Sequence, residues 1–175
     1  MKNILYIAAF LLSVTTVTAQ DFNKIGNLKN MSETVVTGEM FKLIANIDVD
    51  SKDPAMKEMK SMVDKLTEVR IYKTGNMDSA SKMKNFVDGY IKSANLAQLM
   101  YSKEDGEMFS FYIKKGSTDK KIRNLVMFID EGNRKGAESV FMIISGDLDL
   151  DQVSKLTKYM NVPGQSEIEK ATKGK

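Results

Sequence analysis

Two consecutive hairpin patterns in the second half of the chain place the strongest constraint on its fold. In the first, strand-like runs over 96–102 and 107–114 flank the turn Glu104-Asp105-Gly106. Asp-Gly between alternating apolar runs is a strong hairpin signal. In the second, runs over 121–130 and 138–145 are joined by a glycine-containing loop. Consecutive hairpins predict an antiparallel sheet with helices covering at least one face.

The first half of the chain alternates short strands with helices. Thr34 to Thr37 has the β-branched residues of a strand or extended piece, and Gly38 ends it. Apolar residues then recur at helical spacing. Asp53 and Pro54 are typical of the start of a second helix, which we predict to extend to about residue 66.

A strand and two further helices complete the pattern. "EVRIYKT" alternates as a strand over 68–73, and Asp78 or Ser79 is predicted to cap a helix that extends to about residue 94. A closing helix is predicted from about residue 150 to about residue 160. The order is β-α-α-β-α-β-β-β-β-α. The predicted fold class is α+β, a mostly antiparallel sheet of about five strands with helices packed on it.

The N-terminus has the pattern of a secretory signal peptide. Lys2 precedes an apolar run over 4–12, and the small residues that follow indicate cleavage after Ala19. That run is shorter than the roughly 20 residues that span a bilayer, so no transmembrane segment is expected after cleavage. We predict an exported protein, periplasmic or secreted. Its expected parts are the signal peptide 1–19, a loose segment 20–30, a single α+β domain 31–160 and a disordered polar tail 161–175.

The composition excludes several chemistries. The chain has no cysteine and no histidine, so it has no disulfide, no lipoprotein anchor, no Ser-His-Asp or Cys-His catalysis, and no zinc or haem site built on those ligands. Its net charge of +3 is too balanced to indicate nucleic acid. "SASK" at 79–82 fits the S-x-x-K pattern, but the companion motifs are missing, and a serine-capped helix start explains it better. We expect no enzyme, no catalytic residue and no cofactor.

Three aspartates near the C-terminus form the most site-like string of the chain. They alternate with leucines at Asp147, Asp149 and Asp151. A calcium loop counted from Asp147 fails at its sixth and twelfth positions, which are Gln152 and Lys158. A structural interpretation explains more, with Gly146 ending a strand and Asp149 capping a helix. A cation site at these aspartates is the less favoured alternative.

A methionine array in the second predicted helix is the other candidate metal site. Met56, Met59 and Met62 follow the spacing M-x-x-M-x-x-M. Thioethers are soft ligands that select Cu(I). The same spacing places the three on one face of a helix beside Val63, and a methionine stripe is more often core. Core packing is therefore favoured over copper binding.

The last two strands raise the question of a partner, because both of their alternating faces are largely apolar. A sheet covered on one side shows polar residues on the other. Either these strands are buried on both faces, or one apolar face meets a protein partner or a second copy in a homodimer. The candidate interface residues are Leu125, Met127, Ile129, Phe141 and Ile143.

Several of these motifs carry a resemblance. The capped helix pair, "EVRIYKT", "AQLMYSKEDGEMFSFYIKK" and "SVFMIISGDLDLDQVSKL" are similar to the bacterial envelope family known as domain of unknown function 4252, over about residues 30–158. The resemblance implies an α+β fold in a secreted or lipid-anchored Gram-negative protein, and it brings no catalytic residues. Because this chain lacks the anchor cysteine, tethering is not expected. Together these features predict a non-catalytic binding or interaction module; the alternative is an envelope protein that binds a small ligand or a metal, Cu(I) or Ca²⁺.

Overall fold

The computed structural model describes residues 22–47, 54–118, 120–132 and 136–149, with the backbone alone for 44–47, 55–56 and 58–59. The helices in this part of the chain are α1 (Asn23–Gly26), α2 (Gly38–Ile47), α3 (Pro54–Val63) and α4 (Met77–Ser93). The strands are β1 (Ser32–Thr37), β2 (Leu66–Thr74), β3 (Ala97–Glu104), β4 (Glu107–Lys115), β5 (Lys121–Asp130) and β6 (Ser139–Asp149). The predicted signal peptide, closing helix and polar tail lie outside the described residues.

The six strands form one sheet in the order β1-β2-β6-β5-β4-β3, and every neighbouring pair is antiparallel. Strands β3 to β6 follow one another as hairpins, as the alternating pattern predicts. Strand β6 then pairs with β2, and β2 pairs with β1. The sheet therefore has two edges, β1 and β3. The α+β class is confirmed.

The expected number of strands, about five, is too low, since the sheet has six. The sequence predicts β1 only as a strand or extended piece, and it is the element whose place in the sheet was least marked. It is short and mostly exposed, so it lacks the alternation of buried and exposed residues that marks a half-buried strand. It joins the sheet because its six residues pair in regular register with β2, from Ser32 opposite Lys73 to Thr37 opposite Glu68.

Apolar side chains on the two faces of the sheet form two cores. The first core consists of Leu66, Val69, Phe111, Ile113, Ile122, Leu125, Met127, Ile129, Val140, Met142, Ile144 and Leu148. Phe41 of α2 packs against it. The second core consists of Ile25, Tyr72, Met83, Val87, Val126, Phe128, Phe141 and Ile143. Helices α1 and α4 contribute Ile25, Met83 and Val87 to this second core.

Helix α4 packs on the sheet through an apolar stripe. Met83 and Val87 are fully buried, and Phe86 and Tyr90 pack against the second core. Its cap differs from the prediction, because the helix is capped by Asn76, whose side chain accepts a hydrogen bond of 3.0 Å from the backbone N–H of Ser79. An asparagine oxygen satisfies a helix-start N–H as well as aspartate or serine does.

The segment before β1 is packed rather than loose. It contains α1, and Ile25 is only 2% exposed within the second core. Two side chains of the sheet and α4 hold its backbone. The hydroxyl of Ser79 donates to the carbonyl of Lys29 at 2.6 Å, and that of Thr74 donates to the carbonyl of Asn30 at 2.8 Å. These two bonds fix the entry into β1.

Candidate functional site at the β1 edge

The predicted aspartate string lies on β6, which continues past Gly146 as far as Asp149. The prediction that Gly146 ends the strand is therefore wrong. Leu148 pairs with Ile122 and is buried, which draws the end of the strand into the first core. Asp149 stands opposite Lys121 in the strand pair. Its predicted helix and Asp151 lie outside the described residues.

The Asp149 carboxylate binds two lysines. Its oxygens lie 3.2 Å from the Nζ atoms of Lys65 and Lys121, and Lys121 also lies 3.5 Å from Asp147. Two ammonium groups this close repel a metal cation. Within the described residues, no group of three or more acidic side chains could hold a metal ion. The surroundings of Asp147 and Asp149 thus favour a structural role.

Because of these ion pairs, Asp149 is expected to make stability depend on pH in acid. Burial would raise the pKa of Asp149, but the hydrogen bonds and charges of Lys121 and Lys65 outweigh it and lower that pKa below its ordinary value of 3.8. A lowered carboxyl pKa stabilises the fold above the unfolded-state pKa, and the contribution is lost as the pH falls through the folded-state pKa. Asp149→Asn should lower the free energy of unfolding at pH 7 by less than about 1 kcal/mol.

The measurement is urea unfolding of both proteins at pH 7 and at several values below 4. The difference in unfolding free energy between wild type and Asp149→Asn should shrink as the pH falls below 3.8. Asp78→Asn is the matched control, because Asp78 pairs with Lys82 but its side chain is 75% exposed. A difference that is independent of pH would contradict the ion-pair explanation.

Of the three methionines in the predicted array, Met62 is the one whose side chain the structure describes. Its side chain is 1% exposed, which favours the core interpretation. The side chains of Met56 and Met59 lie outside the described residues.

The first serine of "SASK" has a structural role, since Ser79 is 1% exposed and its hydroxyl donates to the carbonyl of Lys29. Lys82 instead pairs with Asp78 at 2.8 Å.

The five candidate interface residues are buried within the chain. Leu125, Met127 and Ile129 belong to the first core, and Phe141 and Ile143 belong to the second. None of the five is more than 4% exposed. The structure thus favours burial of both faces over an exposed apolar face at these positions.

Strand β1 is the less protected of the two edges. Among the described residues no strand pairs with its outer side, its register with β2 is regular, and its sequence SETVVT has neither proline nor lysine. Strand β3 carries a register irregularity between Gln98 and Met100 and an exposed Lys103. Bulges and lysines are the usual devices that prevent an edge from pairing with another strand. Such devices are present on β3 and missing from β1.

Exposed apolar side chains occur on β1 and on the helix that follows it. The described residues include five large hydrophobic side chains that are exposed: Val35, Met40, Leu43, Met77 and Tyr101. Three of them belong to β1 and to α2, which begins directly after it; Val35 is 40% exposed, Met40 51% and Leu43 63%. We call the outer side of β1 together with these three side chains the β1 edge surface.

A polar cluster holds the inner side of β1 in place. The Tyr72 hydroxyl donates to Glu33 at 2.8 Å, and Arg70 lies 3.4 Å from the same carboxylate oxygen. Arg70 also makes two hydrogen bonds to Glu68, of 2.5 and 2.9 Å, and its guanidinium lies 5.5 Å from the centre of the Phe22 ring. The only charge in β1, that of Glu33, is therefore compensated within its own chain.

This cluster also shifts two pKa values. Burial raises the pKa of Tyr72 to about 12, and Glu33 contributes in the same direction. The hydrogen bonds to Glu68 raise the pKa of Arg70, against the effect of burial. Tyr72 thus stays a neutral donor and Arg70 a cation across the physiological range.

A polar cleft of about 390 Å³ lies elsewhere, between the start of α4, the end of β5 and the start of β6. Its charged side chains already have partners. Lys84 pairs with Asp88 at 2.8 Å, while Asp130 accepts hydrogen bonds from the backbone of Gly132 and the hydroxyl of Ser139. No buried side-chain nitrogen or oxygen of the described residues lacks a partner. The cleft therefore gives less indication of a ligand than the β1 edge surface gives of a partner.

Sequence reasoning identified β1 as a short strand but did not identify it as a site. The signal was present in its run of β-branched residues with no proline or lysine. Its meaning depends on the strand order, because the same run in a central strand would be covered on both sides. Only the pairing of β2 with β6 shows that β1 is an edge.

The fold and this surface define a small α+β domain with an open antiparallel sheet. Residues 22–156 match the family described as domain of unknown function (DUF4252), and the chain belongs to that family. No curated protein and no solved structure matches the chain. None of the helices in the described part of the chain is long and apolar enough to cross a membrane.

Proposed function

We propose that the protein is a non-catalytic, exported interaction module that binds a protein partner at the β1 edge surface. The observation that carries this proposal is the open β1 edge with three exposed apolar side chains beside it. Export is inferred from the signal-peptide pattern of residues 1–19. The periplasm or the extracellular space is then where the partner is met.

An open strand edge binds proteins through its backbone. Each unpaired N–H and C=O can bond to an added strand, and the alternate side chains of that strand then contact the surface beside the edge. The polar cluster of Glu33, Arg70 and Tyr72 supports this role, because it fixes β1 on its inner side before a partner arrives. A strand that is already ordered loses little conformational entropy on binding.

Photo-crosslinking in the producing cells tests the proposal. The photoreactive residue p-benzoylphenylalanine would replace Val35, which is exposed on β1. If the β1 edge surface binds a protein, irradiation should join the chain to one discrete partner, visible as a band of defined mass. The partner is then identified by mass spectrometry of the crosslinked peptides.

The matched control places the same photoreactive residue at Tyr101. That side chain is 50% exposed on β3, the opposite edge of the sheet, and is itself aromatic. We expect no discrete product there. The proposal fails if position 35 gives no product, or if both positions give the same products, since that would indicate random collision with neighbours.

A further inference from the structure

We propose that the partner at the β1 edge surface is a second copy of this chain, with the two β1 strands paired antiparallel about a two-fold axis. This inference rests on the proposed function and names its partner. The product would be one continuous sheet of twice six strands. Three features of the edge support a copy over a foreign strand: the register it permits, its charges and the position of α2.

Geometry restricts the register to pairings that are centred on one residue of β1. A two-fold axis perpendicular to a continuous sheet keeps each face on its own side, so residues that stand opposite each other must belong to the same face. Pairing centred on Val35 meets this condition. It places Val35 opposite the partner's Val35, Thr34 opposite the partner's Val36, and Glu33 opposite the partner's Thr37. Paired β-branched side chains stabilise adjacent antiparallel strands.

The charges of the edge permit this pairing. Glu33 is the only charged residue of β1, and in the centred register it faces a threonine rather than another carboxylate. Its charge is already balanced by Arg70 at 3.4 Å and by the Tyr72 hydroxyl. Like charges directly opposite would oppose pairing. No such pair arises between the two copies of β1.

Helix α2 adds apolar surface on one side of the junction. It begins at Gly38, immediately after β1, and Phe41 directs it onto the first core. The two-fold axis brings both copies of α2 to the same face of the joined sheet. Their exposed Met40 and Leu43 side chains, one helical turn apart, then flank the junction and can bury apolar area against the partner.

The clefts of the described residues do not favour a foreign strand at this edge. Recognition of a foreign peptide by strand addition draws its specificity from side-chain pockets beside the edge. Two clefts among the described residues are lined by other elements, one at the start of α4 and a smaller one at the β3–β4 turn. The β1 edge surface instead offers a sequence that can pair with itself.

The test is sedimentation velocity of the purified protein over a wide concentration range. Wild type should dimerise. Val35→Lys and Val35→Glu each place like charges opposite at the axis, and each should weaken dimerisation about tenfold or more. Mixing the two variants should restore the dimer, because lysine then faces glutamate. Tyr101→Lys, on the other edge, should dimerise as wild type does.

Circular dichroism of each variant shows whether it has folded, which we expect because Val35 is exposed. Thr34→Lys, on the other face of β1, serves as a second charged variant. A monomeric wild type, or a dimer that persists in Val35→Lys, overturns the inference. If the mixed variants stay monomeric, the register centred on Val35 is wrong. A monomeric wild type whose position 35 still crosslinks to a different protein would leave the proposed function standing.

Discussion

Replacing Phe141 by alanine is expected to lower the free energy of unfolding by about 3–5 kcal/mol, the range typical of a buried phenylalanine. Phe141 is fully buried on β6 in the second core. Its ring centre lies 6.0 Å from that of Tyr72, 6.1 Å from that of Phe86 and 6.2 Å from that of Tyr90. Removal of the ring would leave a cavity between the sheet and α4 and end three aromatic contacts at once.

Urea unfolding followed by circular dichroism measures this effect. Phe109→Ala is the matched control, since Phe109 is the same residue type on β4 but only partly buried at the border of the first core. A side chain that is partly exposed to solvent stabilises the fold less than a fully buried one. Phe109→Ala should therefore lower the free energy of unfolding by clearly less than Phe141→Ala. Equal losses for the two variants would show that Phe141 is not a central element of the core.

The sequence predicts the hairpins because their signals are local. The turn Asp105-Gly106 adopts positive φ at both residues, as a tight hairpin turn requires, and strand β5 has the predicted bounds 121–130. The apolar character of both faces of β5 and β6 is also local, and it left burial on two sides as one of two interpretations. Both inferences rest on residues that are close together in the chain.

Features set by distant residues escaped prediction. Strand β6 passes Gly146 because the N–H of Asp147 donates to the carbonyl of Lys65, which lies far away in the sequence. The N-terminal segment is polar with scattered apolar residues, yet Phe22 stacks among the aromatic rings of the second core. The β1 edge surface exists only because β6 returns to pair with β2. Periodicity carries no information on any of these long-range pairings.

The second large effect is expected at Gly146, where β6 passes close to the backbone of Lys65. A Cβ atom on Gly146 would meet the backbone carbonyl of Lys65, and one on Gly38 would meet the carbonyl of Leu66. The start of β2 therefore lies between two glycines, one at the start of α2 and one on β6. Gly146→Ala should lower the free energy of unfolding by about 1–3 kcal/mol, because a backbone carbonyl cannot move aside as a side chain can.

The control is Gly75→Ala, measured in the same urea series. Gly75 also lies between elements, but a Cβ atom there would meet only the carbonyl of Ala137 at 3.5 Å, an ordinary contact. Its φ lies outside the positive range, so alanine should be neutral or stabilise by up to about 1 kcal/mol by restricting the unfolded chain. If Gly146→Ala proved as mild as Gly75→Ala, the two strands would be able to separate at this point. The end of β6, with the Asp149 ion pairs beyond it, would then be held by side chains rather than by close backbone packing.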